Sequence, residues 1–213
     1  AKFERRFAYI ERALAAQGAV LLGGDAEMSF TYRYASDAER AFMGEVFSRV
    51  SEVVDFRSMA VVGEGGAAER ALTQVKAVDA AYPLTGEIVL EPAMPLDAAL
   101  ADRGAVMDGV LADRLGLAPG DRFRLGLTEF TLRARLLREP DSAAGGFGLG
   151  PRTIVLSADR AQSGLLEPGS LFDTHYRGIV PPGTDLAALK RRAEADFRDT
   201  GLRWRDSRRG APG

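Results

Sequence analysis

The chain opens with a helical pattern of apolar positions. Phe3, Phe7, Ile10 and Leu14 are spaced by four, three and four residues, which places them on one face of a helix, and charged residues fill the other face. We expect the helix to end at Gly18. Two interpretations are open: a helix packed on its own domain, or a stalk or partner-binding helix. In the stalk case, Phe3 and Phe7 stay exposed or meet another copy of the chain, and Leu14 is buried.

Alternating apolar and polar residues predict strands on both sides of a second helix. Residues 26–32 alternate and indicate a half-buried strand. Ser36 followed three residues later by Glu39 predicts a capping box at the start of the helix. Residues 50–62 and 71–79 predict two further strands joined by a glycine-rich turn. This β-α-β-β order is typical of a small α+β unit in which a helix covers one face of a sheet.

The pattern changes after Tyr82-Pro83. Residues 86–151 predict short strands, short helices, a β-hairpin and a glycine-rich loop, and residues 152–213 then return to strands and helices. Proline restricts its own backbone and that of the residue before it, which suits a junction. We therefore expect residues 86–151 to be a β-rich insert between two chain ends of similar strand-helix-strand pattern. We also expect the strands of this insert not to join the sheet of residues 26–80.

Composition narrows the function classes. Of the 213 residues, 46% are hydrophobic and 27% charged, which is ordinary for a folded domain. The net charge of -2 argues against a nucleic-acid binder that relies on neutralising phosphates. The chain has no cysteine, which excludes disulfides, thiol catalysis and cysteine-ligated zinc. Its apolar runs are shorter than the roughly 20 residues that span a bilayer.

The basic stretch at 203–209 indicates a solvated strand end, with attraction to anionic lipid headgroups as the alternative.

Candidate chemistry is sparse. His175 is the single histidine, and a lone histidine beside a strand is usually structural or exposed. A hydrolase using Ser170 or Ser157 with His175 is the enzymatic alternative, although no residue in the pattern orients the imidazole. The chain has neither a Gly-x-Ser-x-Gly elbow nor a Walker P-loop. The sequence therefore assigns no catalytic residue.

Sequence motifs for cofactors and metals are equally weak. The glycines at 146, 148 and 150 resemble a nucleotide-binding loop only superficially, because a strand and not a helix follows them. Two carboxylate pairs are close enough in sequence to face each other on helices, but neither has a histidine or a third carboxylate beside it; they are Asp108 with Asp113 and Asp196 with Asp199. The sequence assigns no cofactor-binding and no metal-binding residue.

Four stretches of the chain carry a resemblance to a known family. They read AKFERRFAYIERALAAQGAVLLGGDAEM, VKAVDAAYPLTGEI, GVLADRLGLAPGDRFRLG and GFGLGPRTIVLS, and the second is the more specific. Together they resemble the extracytoplasmic, MacB-type periplasmic core domain of FtsX-like ABC transporter permeases. The nearest subgroup is the predicted permeases for lysophospholipase-related export. The resemblance covers nearly the whole chain.

The resemblance implies a fold, a place and partners. It implies an α+β domain with a stalk-like helix at residues 1–17, a porter-like α/β part made from residues 18–85 and 152–213, and an inserted β-rich lobe at residues 86–151. Such a domain lies on the periplasmic side of the inner membrane, between the first two transmembrane helices of its permease. The implied partners are a cytoplasmic ATPase subunit and a lipid, lipoprotein or peptide substrate. The implied role is to relay ATP-driven motion, and a non-catalytic structural adaptor is a further alternative.

Overall fold

The computed structural model describes residues 2–142, 150–161 and 171–209. The helices are α1 (Lys2–Leu22), α2 (Asp37–Val46), α3 (Leu96–Leu100), α4 (Gly109–Arg114), α5 (Ser157–Ala161) and α6 (Leu186–Asp196). The strands are β1 (Ala26–Thr31), β2 (Arg49–Val62), β3 (Glu69–Val78), β4 (Val89–Glu91), β5 (Gly104–Asp108), β6 (Arg122–Leu125), β7 (Thr128–Arg138), β8 (Arg152–Leu156), β9 (Phe172–Ile179) and β10 (Arg203–Asp206).

All ten strands belong to one hydrogen-bonded sheet. Its order is β10-β1-β9-β2-β3-β8-β5-β7-β4, and β6 pairs with both β7 and β2. Because β6 pairs with both β7 and β2, the sheet closes into a six-stranded barrel made of β2, β3, β8, β5, β7 and β6. The closure consists of the pairs Ala60–Leu125 and Val61–Arg124. From the first half of β2 the sheet continues outward through β9, β1 and β10.

Three apolar clusters follow from this topology. The first takes side chains from all six barrel strands, and we place it inside the barrel, where Leu111 and Leu115 of the α4 region join it. The second lies on the outer face of the barrel strands beside α3 and includes Val53, Val106 and Ile154. The third packs the outward extension of the sheet against α2 and α6. Alternation along each strand explains the first two, because successive side chains point to opposite faces.

The described strands within residues 86–151 do not form a sheet of their own. β5 pairs with β8, and β6 pairs with β2, so strands of this segment complete the barrel with strands from the chain ends. The expectation that these strands would stay out of the sheet of residues 26–80 is therefore wrong. The reason is that pairing between strands distant in sequence leaves no local pattern. The division of the chain into an α/β part and an inserted lobe stays a prediction.

The terminal helix differs from its predicted form at its C-terminal end. It runs through Gly18 to Leu22. Phe3 and Phe7 are exposed, as expected for a stalk, but Leu14 is 49% exposed, so the expectation that it is buried is wrong. Burial begins only at Gly18. A Cβ on Gly18 would lie 2.4 Å from the carbonyl oxygen of Ser207, so this glycine allows close packing of the helix and does not end it.

Other local predictions are confirmed. Ser36 accepts a hydrogen bond from the backbone N–H of Glu39, whose side chain in turn accepts from the backbone N–H of Ser36, which completes the capping box. β6 and β7 form the predicted antiparallel hairpin. β1 forms where alternation predicted a strand, but both of its faces are buried over most of its length.

Candidate functional site: a buried charge ring beneath the terminal helix

Eight ionisable side chains form a closed ring inside the molecule. Each acidic member contacts two basic members, and each basic member contacts two acidic ones. We call this set the charge ring. Its members in order are Glu27, Arg177, Asp141, Lys76, Glu139, Arg152, Asp55 and His175, which returns to Glu27.

Five strands place six of these side chains on one face of the sheet. Glu27 on β1 is the cross-strand partner of Arg177 on β9, and Asp55 on β2 is the partner of Lys76 on β3. His175 shares the face of Arg177, because it is two residues away on β9. Arg152 comes from β8, which pairs with β3. The remaining members, Glu139 and Asp141, follow β7 in the chain.

One half of the ring is centred on Asp141 and Lys76. The Asp141 carboxylate accepts hydrogen bonds from Arg177 Nη1 and from Lys76 Nζ, the latter at 3.0 Å. Lys76 Nζ also donates to Glu139 Oε2 at 2.7 Å. The pKa of Asp141 is lowered although burial acts to raise it, because the Lys76 and Arg177 cations outweigh burial. Asp141 is therefore a carboxylate at neutral pH.

The other half of the ring is centred on His175. Its Nδ1 lies 3.2 Å from Glu27 Oε1, and its Nε2 lies 3.2 Å from Asp55 Oδ2. The Nδ1 contact lacks hydrogen-bond alignment, so it is an ionic contact. Burial opposes a charge on the imidazole, but the Glu27 and Asp55 carboxylates outweigh burial and raise the pKa of His175 to about 9. His175 is thus an imidazolium at neutral pH.

Protonation of His175 makes the ring electrically neutral. The ring has four carboxylates, and Lys76, Arg152 and Arg177 supply three fixed cations. The imidazolium is the fourth. Burying an unpaired charge costs several kcal/mol, so a sheet face with this many charges is stable only when each has a partner. The ring meets that condition through its alternating order.

The stretch VKAVDAAYPLTGEI contributes Lys76 to the ring and Tyr82 beside it. Tyr82 donates from its hydroxyl to Asp141 Oδ1 at 2.7 Å and accepts from Lys76 Nζ at 3.1 Å. Asp79 accepts from the Ser51 hydroxyl and from the backbone N–H of Glu52. Three polar residues of this stretch therefore have defined structural roles.

The C-terminal end of α1 rests directly on the ring. The carbonyl oxygen of Ala19 accepts hydrogen bonds from the Thr85 hydroxyl at 2.9 Å and from the backbone N–H groups of Gly23 and Gly24. A Cβ on Gly23 would lie 2.9 Å from Arg177 Nη1, so the Arg177 side chain packs against the turn that ends the helix. Gly23 has φ +87°, which favours glycine at this helix end.

The histidine does not form the suggested hydrolytic pair. Both imidazole nitrogens face carboxylates, and an imidazolium has no lone pair with which to act as a general base. Ser157 lies at the start of α5, and its buried hydroxyl has no hydrogen-bond partner in the part of the chain that the structure describes. Ser170 lies outside the described residues, as do the glycines at 146 and 148.

The carboxylate pairs are not brought together as metal ligands. Asp108 accepts from the backbone N–H of Arg152, whereas Asp113 pairs with Arg135. Asp196 lies near Arg192, and Asp199 follows the end of α6. Within residues 2–142, 150–161 and 171–209, no three histidine, cysteine or carboxylate side chains are grouped so that they could hold a metal ion.

The basic stretch at the end of the described chain is partly neutralised. Asp206 accepts hydrogen bonds from Trp204 Nε1 and from the Arg208 guanidinium. Ser207, between Asp206 and Arg208, packs against Gly18 of α1.

A cavity of about 150 Å³ opens elsewhere, near Arg57, Leu72 and Arg114. It is smaller than the roughly 300–1,000 Å³ typical of pockets for small molecules.

Comparisons with known proteins place the fold. No family model matches the chain. The chain is 27% identical over 175 residues to the uncharacterized ABC transporter permease YbbP of Escherichia coli K12; the match covers 79% of this chain and 20% of that protein. The chain thus spans about a fifth of the length of this relative.

Two solved structures show the same fold at low sequence identity. The periplasmic region of MacB from Actinobacillus actinomycetemcomitans superposes with a TM-score of 0.54 at 10% identity, over 88% of this chain and 91% of that one. The extracellular domain of the ABC-type transporter YknZ from Gram-positive bacteria gives a TM-score of 0.54 at 9% identity, over 84% and 100%. The chain therefore has the fold of extracytoplasmic domains of MacB-like ABC transporters. Among the described helices, none combines the length and apolar character needed to cross a bilayer.

Proposed function

We propose that this chain is the extracytoplasmic domain of an ABC transporter permease and that it relays ATP-driven motion to a substrate or a periplasmic partner. The carrying observation is α1, which is exposed along residues 2–17 and held firmly only at its C-terminal end. A helix of this kind suits a stalk that enters the domain from a membrane. The shared fold and the 27% identical permease support the same function.

The proposed motion is mechanical and needs no catalytic residue. Movement of membrane helices would reach the domain through α1 and through β10. These two elements lie close together, because Ser207, the residue after β10, packs against Gly18 of α1. Two packed parts of the domain would then change their mutual orientation by hinge or shear motion. We propose residues 18–85 with 152–213 and residues 86–151 as the two parts, with a motion small enough to keep the β2–β6 and β5–β8 pairs that join them.

The proposed partners and location follow from the same assignment. The energy would come from a cytoplasmic ATPase subunit that acts through membrane segments of the permease, and the domain would lie on the periplasmic side of the inner membrane. The cargo would be a lipid, a lipoprotein or a peptide, and the lysophospholipase-related export permeases are the proposed subgroup. The paired state of His175 supports a non-catalytic role over a hydrolase.

A test uses the full permease with its ATPase in proteoliposomes. Spin labels at exposed Ala8 of α1 and exposed Arg70 of β3, each replaced by cysteine, report the distance between the helix and the domain body. We expect ATP to change this distance and a catalytically inactive ATPase to abolish the change. An unchanged distance during ATP turnover would reject the relay. Ester hydrolysis by the purified chain that disappears in His175→Ala would favour the hydrolase instead.

A further inference from the structure

The charge ring and the base of α1 share one residue. Arg177 donates from Nε to Glu27 Oε2 at 3.0 Å and from Nη1 to Asp141, and its side chain also packs against Gly23 and Gly24. It is almost completely buried, and its Nη2 has no hydrogen-bond partner among the described residues. The ring therefore fixes the position of this guanidinium on one side, and the Arg177 side chain contacts the end of α1 on the other side.

We propose that the charge ring positions α1, with Arg177 as the residue that transmits the state of the ring to the helix. The ring connects β1, β9, β2, β3 and β8 with residues 139–141, so it links the helix base to both the barrel and the outward extension of the sheet. This inference rests on the proposed relay and names the contact through which the stalk and the domain body are coupled.

Packing at the helix base supports a coupled and not a loose attachment. Thr85, Gly23 and Gly24 all donate to the same carbonyl oxygen, that of Ala19. A Cβ on Gly86 would lie 2.4 Å from Pro140 and 3.2 Å from Val20, so Gly86 lies close both to the residue before Asp141 and to α1. A shift of Arg177 or Asp141 therefore displaces groups that contact α1.

The experiment compares two carboxylate-to-amide variants of the full chain. Asp141→Asn removes one ring charge, while Glu129→Gln removes a charge from the exposed Arg122–Glu129 pair. Hydrogen exchange of the Gly23 and Gly24 amides reports the helix base, and exchange of the β5 amides reports global folding. The chain has no native cysteine, so labels at Ala16 and Arg70 report the helix orientation.

In Asp141→Asn we expect the Gly23 and Gly24 amides to exchange at least about tenfold faster and the label distances to broaden, with the β5 amides still protected. In Glu129→Gln we expect both readouts to match the unaltered chain. A folded Asp141→Asn protein with an unchanged helix base would overturn the proposal. His175→Gln, which leaves all three fixed cations in place, provides the same readouts if Asp141→Asn does not fold, and an unchanged helix base in it would overturn the proposal too.

The two experiments separate a failure of the positioning role from a failure of the proposed relay. The coupling is measured in the isolated chain, without a membrane or ATP. Coupling without ATP-driven motion in the permease would remove the relay and leave the positioning role. ATP-driven motion without coupling would retain the relay and assign the attachment of α1 to Thr85 and Ser207 alone.

Discussion

Glu27 and Arg177 face each other across β1 and β9, and the Glu27 carboxylate accepts from Arg177 Nε at 3.0 Å. Both side chains are almost wholly removed from solvent. The pKa of Glu27 is lowered although burial acts to raise it, because His175 and Arg177 stabilise the carboxylate. This pair lies where the ring meets the outward extension of the sheet, so it is a sensitive position at which to test the ring.

Replacing Glu27 with glutamine should destabilise the fold by about 3 kcal/mol, because it leaves the buried Arg177 and His175 with one carboxylate partner each. Urea unfolding at pH 7 measures this. Glu129→Gln, at an exposed pair, should change the free energy of unfolding by less than about 1 kcal/mol. Equal changes in the free energy of unfolding for the two variants would show that the ring pair stabilises the fold no more than an exposed surface pair does.

Stability should depend on pH through His175. Its folded pKa of about 9 lies above the ordinary value of 6.5, so the stabilisation is complete below pH 6.5 and is lost as the pH rises through 9. The loss should reach about 3 kcal/mol, which follows from 1.36 kcal/mol for each pKa unit. Glu27 and Asp55 face the imidazole directly, and Arg177 and Arg152 are the next ring members on either side; Lys76 lies on the far side of the ring. Unfolding at pH 6, 7.5 and 9 measures the slope, which His175→Gln should flatten. A slope that persists in His175→Gln would assign the pH dependence to another group.

Gly18→Ala should be destabilising by about 1–3 kcal/mol, because the added methyl would overlap the Ser207 carbonyl oxygen and push α1 away from the domain. The matched control is Gly44→Ala in α2, where a Cβ would meet nothing within 4 Å. That change should stabilise by about 0.5–1 kcal/mol, since alanine is the better helix former. Thermal unfolding of both variants decides the question, and a neutral Gly18→Ala would show that α1 is not held at Ser207.

Deleting residues 1–12 should lower the melting temperature only slightly. All described residues of that segment are exposed, Phe3 to 83%. A fall of more than about 8 °C would mean a loss of at least about 2 kcal/mol for a chain of this size. Such a loss would place the helix in the core and remove its support for a stalk.

Much of the local structure could be predicted from the sequence because it depends on neighbours in the chain. The capping box at Ser36, the β6–β7 hairpin and the helical spacing of the apolar residues in α1 are of this kind. Barrel closure could not be predicted, since the Ala60–Leu125 pair joins residues 65 positions apart and neither residue has a distinguishing pattern.

The charge ring was also missed, for a different reason. Alternation in β1 assigned Glu27 to the solvent side, yet both faces of that strand are buried. The available signal was a charged residue between apolar neighbours, as at Lys76 between Val75 and Ala77. Such a residue in a strand predicts a buried partner of opposite charge, because an unpaired one would be too costly. It does not identify the partner, and Asp141 is 65 residues away from Lys76.

The barrel has a consequence for the order in which the chain can fold during synthesis. β8 lies between β3 and β5, so the edges of these two earlier strands stay unpaired until residues 152–156 have been made. Unpaired edges invite association with other chains. Arg152 is made with β8, and His175 and Arg177 are made soon afterwards. These three residues pair with carboxylates already made at positions 27, 55, 139 and 141. A nascent chain that stops before β8 therefore has an open barrel and four ring carboxylates with one ring cation, Lys76. The residues from 152 onward both close the barrel and neutralise the ring.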